Sequence, residues 1–222
     1  MRVLITRPEE DAARTVAALA ALGHEGIAMP LLEVRFHDGG AVALDRFQAV
    51  LATSANGVRA LARATARRDV PLFAVGPQTA QEARDLGFGT IRNAQGDSHA
   101  LAAAVAGWVT PESGPLLHVK SAEADGTLAT LLKRAGFAVK NAVLYDVAAV
   151  SKLPALPPDL DAALFFSARS AAIFRALAAQ ADIDALVAIC ISRSAAEALA
   201  PLPFRAVRIA AEPNQDAMLD CL

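Results

Sequence analysis

The feature that most restricts this chain is an internal repeat whose unit is a strand running into a helix. Residues 48–61, QAVLATSANGVRAL, hold a short apolar run that stops at Thr53-Ser54 and gives way to apolar residues at helical spacing. Residues 162–177, AALFFSARSAAIFRAL, do the same, with Ser167 and Ser170 at the switch. Pairing Gly23 with Gly136 gives 136 − 23 = 113, and pairing Ser54 with Ser167 gives 167 − 54 = 113. Further along, VGPQTAQEA from Val75 lies over CISRSAAEA from Cys190, an offset of 190 − 75 = 115 that sets Thr79 beside Ser194. Repeated strand-helix units build parallel sheets, because parallel neighbours need a crossover and the helix supplies it. The expected class is α/β, with two parallel-sheet, three-layer domains that form a pseudo-repeat.

The rest of the chain keeps the same alternation. Strands are predicted over residues 3–6, 26–30, 72–75, 90–93, 116–120, 138–144, 163–166, 186–191 and 206–209. Helices are predicted from Pro8 to a stop at Gly23, from residue 77 to about 86, from Asp97 or Ser98 to about 109, over 123–135 with Gly136 as the stop, to about Ala179, from Ser194, and from Asn214 or Gln215. Residues 31–36, LLEVRF, read as an extended connector, and Tyr145-Asp146-Val147 occupies the equivalent place in the second copy. Residues 153–158, LPALPP, form a stiff extended linker near a domain boundary.

Composition narrows the function. With 222 residues, 55% hydrophobic and 20% charged, the chain is globular. A formal net charge of −2 and a pI near 6.1 argue against a nucleic-acid or anionic-membrane surface and favour a small-molecule partner. The N-terminus, MRVLITRPEED, is too short in apolar residues for a signal peptide, and no stretch approaches a membrane span, so a cytoplasmic location is expected. Cys190 and Cys221 form no framework, and the four histidines show no ligand spacing, so no metal is expected.

Familiar catalytic motifs are missing. At Gly87-Phe88-Gly89 a dinucleotide fingerprint would need a third glycine where Arg92 stands, and neither a phosphate loop nor a nucleophile elbow occurs. What remains is a set of hydroxyls on strand-to-helix turns: Thr53, Ser54, Thr79, Ser167 and Ser194. Singly, each is explained as a helix cap. Together, with Asn56 and the Gly76 turn, four turns offer N–H groups and hydroxyls to a ligand rich in carboxylates. Arg59, Arg63 and Arg67 are either an anion site or a solvated helix face, and Arg7 either meets a ligand or forms a structural ion pair. Tyr145, the single tyrosine, stays protonated near neutrality and suits a weak general acid, or else packs with its hydroxyl on backbone.

Taken in order, ITRP from Ile5, LATSANGV from Leu51, AVGPQTA from Ala74, VLYDV from Val143, LFFSARSA from Leu164 and CISRSAAEAL from Cys190 resemble the uroporphyrinogen-III synthase family over nearly the whole chain. The resemblance implies two α/β domains with a cleft between them. One is assembled from residues 1–33 and 150–222, the other is inserted as 38–143, and connector strands 33–37 and 144–149 join them. It implies a monomeric lyase without cofactor or metal. Its substrate would be hydroxymethylbilane, a linear tetrapyrrole, cyclised with loss of water and inversion of the terminal ring. A transient hand-over from the enzyme that forms the bilane is compatible with it. The implied binding groups are Arg7, Thr53, Ser54, Asn56, Gly76, Thr79, Lys120, Ser167 and Ser194, and Tyr145 matches the tyrosine proposed to assist departure of the hydroxyl.

Two places depart from the family pattern. Lys120-Ser121 stands where members often carry Arg-Gly, and Ile191-Ser192-Arg193-Ser194 replaces Gly-Pro-x-Thr. The first exchanges a bidentate carboxylate donor for a point charge. The alternative function from another class is a noncatalytic tetrapyrrole- or polyanion-binding regulatory protein of the same fold.

Overall fold

The computed structural model describes residues 1–37, 42–178 and 181–222. The expected helix end at Ala179 and the expected domain start at residue 38 lie outside the described residues. Among the described residues the order is β1 (Arg2–Ile5), α1 (Glu9–Ala21), β2 (Glu25–Ala28), β3 (Leu32–Phe36), β4 (Ala49–Ala52), α2 (Ala55–Ala64), β5 (Leu72–Ala74), α3 (Pro77–Asp85), β6 (Ile91–Asn93), α4 (Ser98–Trp108), β7 (Leu116–Ser121), α5 (Thr127–Arg134), β8 (Val139–Ala149), β9 (Ala162–Phe165), α6 (Ala168–Leu177), β10 (Val187–Cys190), α7 (Arg193–Leu199), β11 (Ala206–Ile209) and α8 (Gln215–Leu219).

The chain divides into two units. Unit 1 takes Met1–Glu33 and Ala148–Leu222, and unit 2 takes Val34–Val147. Unit 1 contains a five-stranded sheet in the order β11-β10-β9-β1-β2, and all four pairings are parallel. Its central strands β1 and β9 are apolar and buried, as a sheet covered on both faces requires. One face packs Phe165, Phe174 and Leu199, and the other packs Val3, Leu19 and Met218.

The six-stranded sheet that holds unit 2 runs β3-β8-β7-β4-β5-β6. Its pairs from β8 to β6 are parallel. Val58, Leu61 and Phe88 fill one side, and Leu101, Leu128 and Leu132 fill the other. β3 lies beside β8 at the edge, where the His37 amide donates to the Leu144 carbonyl at 2.9 Å.

Strand register reproduces the repeat seen in the sequence. Leu4 pairs with Ala163 in unit 1, and Leu117 pairs with Val50 in unit 2, so both strands are displaced by 117 − 4 = 163 − 50 = 113. The helices α1 and α5 end at Gly23 and Gly136, with φ of 76° and 88°, a region open to glycine and strained for other residues.

Three expectations change. Residues 123–126 do not begin a helix: α5 starts at Thr127 after Gly126, because Glu123 spends its carboxylate on the Val147 amide at 3.2 and 3.3 Å. The expected strand 138–144 and the connector after it are one continuous 11-residue strand, β8. The helix expected from Ser194 is capped by Ser192, whose hydroxyl accepts from the Ala195 amide at 3.3 Å. Register agrees with that cap. Val50 pairs with Leu72 and Ala163 with Ala188, giving 188 − 72 = 116 rather than 115, so Thr79 is equivalent to Ala195.

Candidate functional site

Parallel strands bring their carboxyl ends to one edge, and in each unit the hydroxyl turns sit there. In unit 2 that edge carries Thr53, Ser54 and Asn56 after β4, Gly76 and Thr79 after β5, Lys120 and Ser121 at the end of β7, and Tyr145 within β8. In unit 1 it carries Arg7 after β1, Ser167 after β9, and Ser192 and Ser194 after β10. Edges of this kind are where open α/β sheets bind ligands.

The tightest grouping in unit 2 surrounds Tyr145, which is 5% exposed. Its phenol oxygen lies 2.7 Å from Ser54 Oγ, and Ser54 Oγ accepts the Gly57 amide at 3.1 Å. The Phe36 ring stands 6.4 Å from the Tyr145 ring, and Arg63 lies over Phe36 at 4.0 Å. A register shift between Lys120 and Ser121 sets Ser121 opposite Tyr145. Burial pushes the phenol above its usual pKa, the Ser54 and Ser121 hydroxyls pull it down, and the Glu123 charge adds to the rise. Glu123 is held below the usual carboxylate range first by its own backbone N–H and further by the Val147 amide and Ser121.

Several expected ligand groups have partners within their own unit. Arg59 forks onto Glu82 at 2.9 and 2.8 Å and donates to Asn56 Oδ1 at 2.7 Å, tying α2 to α3. Arg67 lies beyond the end of α2 and pairs with Asp45 and Asp69, so the three arginines form no continuous anion stripe. Lys120 Nζ donates to the carbonyls of Ala124 and Asp125. Arg7 pairs with Asp11 at 3.6 Å, donates to Thr15 and Gln215 at 3.2 Å each, and lies over Phe166 at 4.3 Å. Thr79 is 5% exposed.

Ser167 repeats the Ser54 cap, accepting from the Ser170 amide at 3.1 Å. Its hydroxyl lies 2.9 Å from that of Ser170, and Ser194 Oγ is 3.0 Å from Ser192 Oγ. Sequence reasoning missed Ser192 as a cap and Ser121 as a neighbour of the tyrosine. The first could have been found from its spacing to Ala195, whereas the second depends on a bulge that leaves no sequence mark.

Among the described residues no cluster of His, Cys, Asp and Glu could hold a metal, and no helix is long and apolar enough to cross a membrane. Residues 13–220 match the sequence model of a family described as uroporphyrinogen-III synthase HemD. The chain belongs to the uroporphyrinogen-III synthase family.

Two solved structures share the fold of this family member. Uroporphyrinogen-III synthetase from Helicobacter pylori is 19% identical, with a TM-score of 0.67 over 100% of this chain and 98% of that one. A mutant uroporphyrinogen III synthase from Thermus thermophilus is 18% identical, with a TM-score of 0.52 over 100% of this chain and 96% of that one. No curated protein matches the sequence. Membership places the chain among enzymes of tetrapyrrole synthesis, acting on a small-molecule tetrapyrrole.

Proposed function

We propose that the chain is a cyclising hydro-lyase that takes hydroxymethylbilane to uroporphyrinogen III. The observation that carries this reading, within the family, is the buried Tyr145 phenol held 2.7 Å from the Ser54 hydroxyl at the carboxyl edge of the unit 2 sheet. A phenol whose pKa is raised by burial keeps its proton near neutrality. It is therefore a donor for the departing hydroxyl, which leaves as water and makes the methylene at the hydroxymethyl end electrophilic. The pyrrole at the opposite end attacks that methylene through the carbon that already carries its link to the neighbouring ring. The link breaks and re-forms at the pyrrole's free α-carbon, which inverts the ring, and loss of the proton from that carbon restores aromaticity. The phenolate left by the first step accepts that proton, so the protein ends as it began.

The remaining work is positioning. The free bilane closes without inversion, so binding must hold it in the geometry that leads to inversion. Backbone N–H groups and hydroxyls at the Thr53-Ser54, Gly76-Thr79, Ser167 and Ser192-Ser194 turns are suited to its carboxylates. The bilane would arrive from the enzyme that forms it, and the reaction would take place in the cytoplasm.

The test supplies freshly made hydroxymethylbilane to purified protein and separates the oxidised products by isomer. A predominance of the type III isomer is expected. Type I alone, at the spontaneous rate and from folded protein, would replace this reading with a binding or regulatory role. In a Tyr145→Phe variant, turnover is expected to drop on the order of 100-fold with the thermal midpoint little changed. Unchanged turnover would remove the acid role.

A further inference from the structure

We infer that Ser121 is a positioning residue for Tyr145, acting with Ser54 to hold the phenol oxygen between two hydroxyl donors so that the phenol's own proton is presented to the ligand. This rests on the reading of Tyr145 as the acid.

The geometry begins with a bulge. β7 and β8 run in register from Leu116 opposite Val139 to Lys120 opposite Val143, and the next pair skips a residue to set Ser121 opposite Tyr145. The Ala122 amide then donates to the Tyr145 carbonyl at 3.1 Å, which locks the shifted register. Bulges re-aim side chains at the ends of strands. Without this one Ser121 would face Leu144.

Both partners are withdrawn from solvent, Ser121 at 8% exposure and Tyr145 at 5%. A serine hydroxyl has one proton and two acceptor positions. Ser54 fills one acceptor position with the Gly57 amide, and its proton is placed to donate across 2.7 Å to the phenol. Ser121 stands opposite Tyr145 on the neighbouring strand, and its hydroxyl lowers the phenol's pKa as that of Ser54 does. A phenol oxygen that accepts two hydrogen bonds leaves its own O–H for a third partner.

The charged group acting on Tyr145 is Glu123 on the β7–α5 loop. It also draws on the Ser121 hydroxyl, so the single Ser121 proton has two acceptors to choose between. If Ser121 donates to the phenol, it stabilises the phenolate. If Tyr145 instead donates to Ser121 and Ser121 donates to Glu123, the neutral phenol is stabilised. The two arrangements move the phenol's titration in opposite directions.

Lys120, next to Ser121, spends its ammonium on the Ala124 and Asp125 carbonyls, so residues 120–121 support the β7–α5 loop and the phenol together.

The protein has one tyrosine, so phenolate absorbance reports Tyr145 alone. Biosynthetic replacement by 3-fluorotyrosine brings the titration down to a pH at which circular dichroism stays native. In Ser121→Ala the phenol pKa is expected to rise by about half a unit or more, and Ser121→Thr is expected to restore it. Glu123→Gln is expected to lower it. With the bilane as substrate, Ser121→Ala should reduce kcat about tenfold with KM within about twofold, and Ser121→Thr should recover most of the loss. An unchanged or lowered phenol pKa in Ser121→Ala, or a change confined to KM, would overturn the inference. The titration needs no substrate, so absence of the type III product would defeat the proposed function without deciding the Ser121 contact.

Discussion

His118 is the residue whose chemistry is most at odds with its surroundings. It is 2% exposed on β7, and neither ring nitrogen has a hydrogen-bond partner. Burial first, and the Lys120 charge second, lower its pKa from 6.5 to about 4. Between those values the unfolded chain takes up a proton that the folded one refuses, so stability is complete above about pH 6.5 and declines as the pH falls toward 4. The whole loss is about 3 kcal/mol. His118→Leu is expected to flatten that part of the stability-pH curve measured by urea unfolding. An unchanged slope would show that another group carries it.

Gly76 poses the opposite question, because neither its backbone angle nor the described residues around it require a glycine. Its φ is −151°, and an added Cβ would meet no atom within 4 Å. Gly76→Ala should leave stability unchanged or raise it by up to about 1 kcal/mol. If the bilane's carboxylate approaches the turn's backbone, the same methyl should raise KM several-fold. A wild-type KM in this variant would remove Gly76 from the binding set.

At the scale of elements, the Arg59–Glu82 fork joins α2 to α3 with side chains only 10% and 7% exposed. Removing one partner leaves the other charge buried, so Glu82→Ala is expected to cost about 3 kcal/mol. Chemical denaturation checks this, and a loss under about 1 kcal/mol would mean that the fork is solvated. On the strand pair β3–β8, His37 Nε2 lies 3.0 Å from Asp146, and that hydrogen bond raises the histidine's pKa. The pairing is therefore present below pH 6.5 and is lost as pH rises through the folded value. Asp146→Asn should move the His37 proton resonances to a lower midpoint. A midpoint that stays put would show that the contact is not maintained in solution.

Elements were legible where local rules act alone. Apolar runs ending in small polar residues marked β4 and β9, and the glycines after α1 and α5 marked their stops. Legibility failed where distant groups competed. The start of α5 was displaced because the Glu123 side chain serves the Val147 amide 24 residues away. In the second repeat, a one-residue loop difference set Thr79 against Ala195 rather than Ser194, and the helix starts at Arg193 behind the Ser192 cap. The approach of Tyr145 to Ser54 joins residues 91 apart, and the placement of Ser121 opposite Tyr145 depends on a bulge. Neither kind of information lies in local spacing.

For the molecule as a whole, each unit has its own buried clusters on the two faces of its sheet. Unit 2 is also a single uninterrupted segment, Val34–Val147. Expressed alone, that segment is expected to unfold cooperatively with native-like circular dichroism. A broad, noncooperative transition would show that its clusters depend on the remainder of the chain.

Unit 1 has no such independence in time. Its strand β1 ends at Ile5, yet its neighbour β9 begins only at Ala162. On a ribosome adding roughly 5–20 residues per second, β1 and α1 emerge about 8–30 s before β9, the strand that pairs with β1 on its other side. For that interval Val3, Leu4, Ile5 and Leu19 have only part of their eventual cover. The inserted unit can finish folding meanwhile, and β1 with α1 is the stretch that a nascent-chain chaperone would find exposed.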